Sequence, residues 1–123
     1  MDPIELKMQR MQTTAFIAHK AVSLVLNRPV EVRAKTGGKG VTHLTPLAPQ
    51  TVRIIETAAY PNSYLTLTDG THREADFMLL MEWDADVQRD DTWTADDGRN
   101  WVVQDVVHDN EYERRALVLE QGK

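Results

Sequence analysis

A chain of 123 residues with 41% hydrophobic and 27% charged residues has the make-up of one folded domain, with room for one core and not for two. No stretch approaches the roughly 20 apolar residues that span a bilayer. Met1-Asp2-Pro3 lacks the basic and apolar segments of a secretion signal, so a cytoplasm is the expected place of synthesis. The absence of cysteine excludes a disulfide framework and every thiolate metal site.

The net charge of -5 is unevenly spread. Residues 1–60 carry eight Lys or Arg against four Asp or Glu, whereas residues 61–123 carry six against fifteen. Glu82 to Arg99 alone, with seven acids and two bases, accounts for the whole net charge. Such a segment is either a solvated acidic turn or one side of a head-to-tail contact. In the second case the basic half of one subunit meets the acidic half of the next, the contact that closes rings.

At the N-terminus, Asp2 in the N-cap position, Pro3 at the first helical position and Glu5 three residues after the cap predict a helix over about 3–20. Ile4, Met8, Met11, Ala15, Ala18 and Val22 follow at spacings of three and four as one narrow apolar stripe, with Lys7, Arg10 and Gln12 outside it. The stripe is expected to lie on the domain's own core. The alternative is docking on a neighbouring subunit, which the adaptable methionines favour.

From Val22 the period becomes that of a strand: Val22, Leu24 and Leu26 alternate with Ser23, Val25 and Asn27, and Val30, Val32 and Ala34 with Glu31, Arg33 and Lys35. Pro29 is expected at an edge or bulge between two segments of one long, bent strand, as where a small barrel turns a corner. Thr36 to Gln50 has no periodicity and holds three of the six glycines, so it reads as a loop of unusual length. Gly37-Gly38-Lys39-Gly40 within it fails the phosphate-loop pattern, because Gly40 and not Ser or Thr follows Lys39.

Val52 and Ile54 then predict a strand whose Arg53 points the other way, and Tyr64 to Thr68, closed by Asp69-Gly70, a short strand in a hairpin. The last third reads as a meander of three apolar strands, Phe77 to Trp83, Trp101 to Val107 and Arg115 to Glu120. An acidic turn and the Asp97-Gly98 hairpin signal separate the first two. Trp83 and Trp101 are expected in the core. One helix and six to eight strands in a single domain, 1–123, give a mostly β fold: a small barrel or sandwich over about 22–120, with an N-terminal helix and the long loop 36–50.

No catalytic, cofactor or metal residue emerges, and enzymatic activity is not expected. Asp84, Asp86, Asp90 and Asp91 resemble the start of a calcium loop, but the required Gly and Glu are replaced by Arg89 and Ala95. His19, His43, His72 and His108 form no close pair for zinc. No Gly-x-Ser-x-Gly elbow is present. The carboxylates of the acidic turn lie where solvent keeps both of any pair ionised. Arg33, Lys35, Lys39, His43 and Arg53 cluster near the long loop without interleaved aromatic residues in an acidic chain. This suits letting DNA pass better than gripping it.

The run from Asp76 to Thr92, with Asp97-Gly98-Arg99-Asn100-Trp101-Val102-Val103 and Tyr112-Glu113-Arg114-Arg115-Ala116, resembles the C-terminal half of the head-to-tail joining proteins of long-tailed bacteriophages. These are the head-closure or stopper proteins. The N-terminal helix, Leu26-Asn27-Arg28-Pro29-Val30, the Gly-Gly loop and Pro49-Gln50-Thr51-Val52-Arg53-Ile54 extend the likeness over most of the chain. Where that family usually has Gly-Asp before the second of these strands, this chain has Asp90-Asp91.

The resemblance implies a structural virion protein of the neck, made in the host cytoplasm. It would form a homo-oligomeric ring with the portal or adaptor ring above and the tail or tail-terminator ring below. Packaged double-stranded DNA would pass through without sequence-specific binding, and no membrane would be involved. Lys35, Gly37, Gly38, Lys39, Gly40 and His43 would then belong to a channel loop, and Arg53, Asp84, Asp86 and Asp90 to the contact between subunits. A tail-terminator or tail-completion ring protein is the first alternative, a cytoplasmic small-barrel binding module the second, and a metal-dependent hydrolase the last.

Overall fold

In the computed structural model, which describes residues 2–32, 41–56, 64–66, 72–107 and 110–121, the chain is mostly β with one N-terminal helix. Helix α1 (Pro3–His19) starts where expected: the Asp2 carboxylate accepts from the Ile4 N–H at 2.8 Å, and Pro3 occupies the first turn. Among the described residues ten strands follow: β1 (Val22–Leu24), β2 (Asn27–Val32), β3 (Val41–Pro46), β4 (Gln50–Glu56), β5 (Tyr64–Thr66), β6 (His72–Glu74), β7 (Phe77–Glu82), β8 (Thr92–Thr94), β9 (Asn100–Val107) and β10 (Glu113–Glu120). β5 and β6 pair with each other, and the other eight form one open, curled antiparallel sheet in the order β1-β4-β7-β10-β9-β8-β2-β3.

That order explains the curl. β1 and β2 stand far apart in the sheet, yet only Val25 and Leu26 join them. The sheet bends to bring its two sides together, and Leu26, fully buried, plugs the corner while its carbonyl accepts from the Leu47 N–H at 2.8 Å. The corner therefore lies at Leu26, three residues before the expected one: Pro29 sits inside β2, opposite Leu44 of β3, and its other side, past the single β8 pair at Asn27, is an edge as expected.

The last third is not a simple meander. β10 returns between β7 and β9, pairing Glu113 with Glu82 on one side and Arg115 with Val107 on the other. A chain that buries β7 and β10 at the sheet's centre covers both their faces, which is why their sequences are continuous apolar runs and not alternating ones. Leu79, Met81, Ala116 and Val118 join Leu26, Val52, Trp93, Trp101 and Val103 inside the curl. Met78, Leu80, Leu117 and Leu119 face the other way, under Ile17 of α1 with Ile55. A bulge in the β9–β10 pairing leaves Gln104 without a cross-strand partner and shifts the parity of β9, so Trp101 and Val103 are followed on the inner side by Val106.

Several expectations are corrected. Val41 to Pro46, read as part of a loop, is β3, its strand character hidden by the exposure of both faces. In β4 the buried pair is Val52 and Ile55, not Val52 and Ile54; Ile54 lies beyond the last β1 pair, Val22 with Val52, and is exposed. Arg53 does point away from Val52, towards α1. Trp101 is a core residue, with Phe77 edge-on at 4.9 Å and Trp93 stacked at 6.2 Å. Trp83 is not: it follows the end of β7 and is 44% exposed.

Candidate assembly surfaces

Three surfaces stand out. Among the described residues no group of three or more His, Asp or Glu is placed to hold a metal ion.

The first surface is the outer face of α1. The helix meets the sheet through Thr13 and Ile17, with Phe16 held by Arg53, whose guanidinium lies 3.9 Å from its ring and donates to its carbonyl at 2.9 Å. Ile4, Met8, Met11, Ala15 and Ala18 are all exposed, Met11 at 62%, while Val22, expected at the end of the stripe, lies past the helix in β1 and is exposed there. The expectation that this stripe covers the domain's own core is thus overturned. Periodicity marked an apolar face correctly, but a Thr and an Ile on the other side supply the intramolecular contact.

The stripe residues Met11, Ala15 and Ala18, with Leu6 and Arg10, form one wall of an open groove of about 780 Å³ between α1 and the β7–β8 connection, where Trp83 stands on the other side. Arg10 roofs one side: its guanidinium lies 3.8 Å from the Trp83 ring, and its Nε donates to the Glu111 carbonyl at 3.0 Å. Thr14 donates to Glu82 at 2.7 Å. Asp84 also lines this groove, exposed.

The second surface is the acidic turn, Asp84 to Asp91, and it is more structured than a solvated turn. Gln50 holds it from β4, accepting from the Asp86 N–H and donating to the Asp86 carbonyl, both at 2.8 Å. Asp91 is fully buried and accepts from Arg28 at 2.9 and 3.2 Å and from the Gln88 N–H at 2.8 Å. Arg28 also reaches the exposed Asp86 at 2.7 Å. The Asp91 hydrogen bond, with Asp86 behind it and against a smaller cost of burial, holds the Arg28 guanidinium above its ordinary pKa. The fully buried carboxylate was missed because the sequence shows only a run of acids, and Arg28 is 63 residues away.

Asp90 has φ 74 and donates its N–H to the Val103 carbonyl at 2.8 Å. It occupies the left-handed region where glycine is the usual choice and Asp one of the tolerated substitutes.

The third surface is an arm. β2 pairs with β8 only at Asn27 and Thr92, after which β2 and β3 continue as a two-stranded ribbon. Val30 and Glu31, neighbours on opposite faces, are both exposed, as are Thr42, His43, Leu44, Thr45 and Pro46. His43 pairs with Val30 across the ribbon. Lys35, Gly37, Gly38, Lys39 and Gly40, which connect the two strands, lie outside the described residues.

The site residues therefore fall into separate groups. Asp84, Asp86 and Asp90 share the acidic turn, with Asp84 where it borders the groove, His43 belongs to the arm, and Arg53 is engaged by α1. A comparison with protein-family models and one with curated proteins find no match to this chain.

Proposed function

We propose that this chain is a ring-forming structural subunit of the neck of a long-tailed phage, a head-closure protein that extends the portal channel, retains packaged DNA and presents a surface to the tail. The observation that carries this reading is the β2–β3 arm. A two-stranded ribbon in water is marginal on its own. This one leaves the sheet after a single pair and exposes apolar Val30 and Leu44 on both of its faces. Such a ribbon belongs in an assembly, where neighbouring copies or partner rings cover it.

The resemblance of most of the chain to the head-closure family supports the same reading, as does the division between a basic first half and an acidic second half. In the ring the arms would carry Lys35, Lys39 and His43 towards packaged DNA, where a few cations in an acidic assembly permit passage without tight binding. Asp84, Asp86 and Asp90 would face the basic side of the next copy.

The test is removal of the gene from a phage that carries it. Filled heads that lose their DNA and do not join to tails are expected. Filled heads that keep their DNA beside tails of irregular length would assign the chain to tail completion instead. Infectious particles of normal form would overturn both readings.

A further inference from the structure

The exposed stripe of α1 is a coiled-coil seam without a second strand. Numbered as heptads along α1, Met8 and Ala15 fall at a positions, and Ile4, Met11 and Ala18 at d positions, so the 4-3-4-3 spacing is unbroken to the end of the helix. A globular surface helix that packs only on its own domain turns such a seam inward. Here Thr13 and Ile17, at f and c positions, face the sheet, and every a and d residue faces out. A strict a/d seam is the face that a second helix reads by knobs-into-holes packing, which narrows the partner to a helix.

We infer that the seam pairs with the α1 of a second copy of this chain, antiparallel about a two-fold axis. Two gradients along the helix favour this partner and this direction. The first is size: the N-terminal half of the seam is long (Ile4, Met8, Met11) and the C-terminal half short (Ala15, Ala18). Antiparallel pairing sets Met8 against the partner's Ala18 and Met11 against the partner's Ala15. Each long flexible side chain then fills the space left by an alanine, and the helices approach closely. Parallel pairing would crowd methionine on methionine at one end and leave alanine facing alanine at the other.

The second gradient is charge. Asp2 and Glu5 occupy the first turn and His19 and Lys20 the last, all of them exposed. Antiparallel pairing sets the acids beside the bases of the partner and opposes the two helix dipoles, while parallel pairing stacks like on like. A helix of 17 residues is about 25 Å long and about 10 Å across, a strip of roughly 250 Å², well below the ~800 Å² per partner of a standard stable interface. The pair is therefore reversible, formed at high concentration and released on dilution.

The pairing does not depend on the neck reading, and its test uses the purified full chain alone. Sedimentation equilibrium should show monomer at low micromolar concentration and dimer towards the millimolar range. Met11→Glu should raise the concentration of half-dimerisation at least tenfold while leaving the melting temperature unchanged, since Met11 touches solvent and not the core.

Direction is read by disulfide trapping, which the cysteine-free chain permits without background. A mixture of a Met8→Cys chain with an Ala18→Cys chain should cross-link between the two variants, and Met8→Cys alone should not cross-link to itself. A chain that stays monomeric at every concentration would overturn the inference. So would a dimer indifferent to Met11→Glu, or self-cross-linking of Met8→Cys in place of the mixed product.

Discussion

The Arg28 guanidinium and the fully buried Asp91 carboxylate, 2.9 Å apart, fasten the root of the β2–β3 arm to the turn that leads into β8. Asn27 and Thr92 make the only backbone pair between those strands, so this ion pair carries much of the attachment. Removing one partner leaves the other charge without compensation in the interior, which costs about 3–5 kcal/mol. Arg28→Met should therefore lower the urea midpoint severely, and Arg28→Met with Asp91→Leu should recover most of the loss. Asp86→Ala, which removes the exposed member of the cluster, should cost no more than about 1 kcal/mol and less in high salt. Equal losses from Asp86→Ala and Arg28→Met would show that burial of Asp91 is not what matters.

The two tryptophans once grouped by sequence should separate on mutation. Trp101, buried between Phe77 and Trp93, should cost about 3–5 kcal/mol as Trp101→Ala, the usual range for a large core aromatic residue. Trp83→Ala removes a half-exposed ring and its contact with Arg10, worth about 0.5–1 kcal/mol at such a site. Thermal melts of the two variants against the parent chain check both values. Similar shifts for the two would mean that the groove beside α1 contributes as much as the interior of the sheet.

Local signals in the sequence were reliable wherever one residue type answers one geometric need. Asp2 and Pro3 start α1, Gly98 at φ 88 turns the β8–β9 hairpin, and the apolar runs of β7, β9 and β10 are strands. What the sequence did not reveal was what covers what. A stripe on α1 states that one face is apolar, not whether its partner is the same chain, and residues outside the stripe hold the helix to its own domain: buried Thr13 and Ile17, Phe16 with Arg53, Arg10 with Glu111 and Trp83, and Thr14 with Glu82.

The place of β10 between β7 and β9, and the pairing of Arg28 with Asp91, are contacts between residues far apart in the chain. Period and composition carry no trace of them. β3 escaped notice because alternation appears only when one face of a strand is buried, and neither face of this one is.

Two turn residues with positive φ give a prediction that separates conformation from packing. Gly98 has φ 88, and no atom lies within 4 Å of where a Cβ would stand, so Gly98→Ala meets no clash. It should still destabilise by about 1 kcal/mol, because the backbone conformation itself disfavours a side chain. Asp90, at φ 74, is the reverse case: Asp90→Gly relieves that strain and should be neutral or stabilising by up to about 1 kcal/mol. Asp90→Val, β-branched, should destabilise by more than either. Chemical denaturation resolves these values. A stabilising Gly98→Ala would show that the hairpin does not depend on the left-handed turn.

The arm makes assembly and stability separable. Leu44 is 60% exposed and Val30 faces solvent from the facing strand, so neither adds much to the free subunit, and Leu44→Ser should change its stability by no more than about 0.5 kcal/mol. In an assembly that covers the arm, the same leucine would move from water into contact. Full burial of such a side chain is worth about 1.5–3 kcal/mol, equivalent to a tenfold to hundredfold change in affinity at each subunit contact. Leu44→Ser should therefore leave the melting curve in place and lower incorporation into particles sharply. Thr42→Ser, on the same strand and of the same exposure class, should do neither. Quantitative mass spectrometry of purified particles, beside melts of the free chain, reads both halves. Normal incorporation of Leu44→Ser would remove the arm from the assembly contacts, and a large loss of stability in the free chain would show that the arm already packs on its own domain.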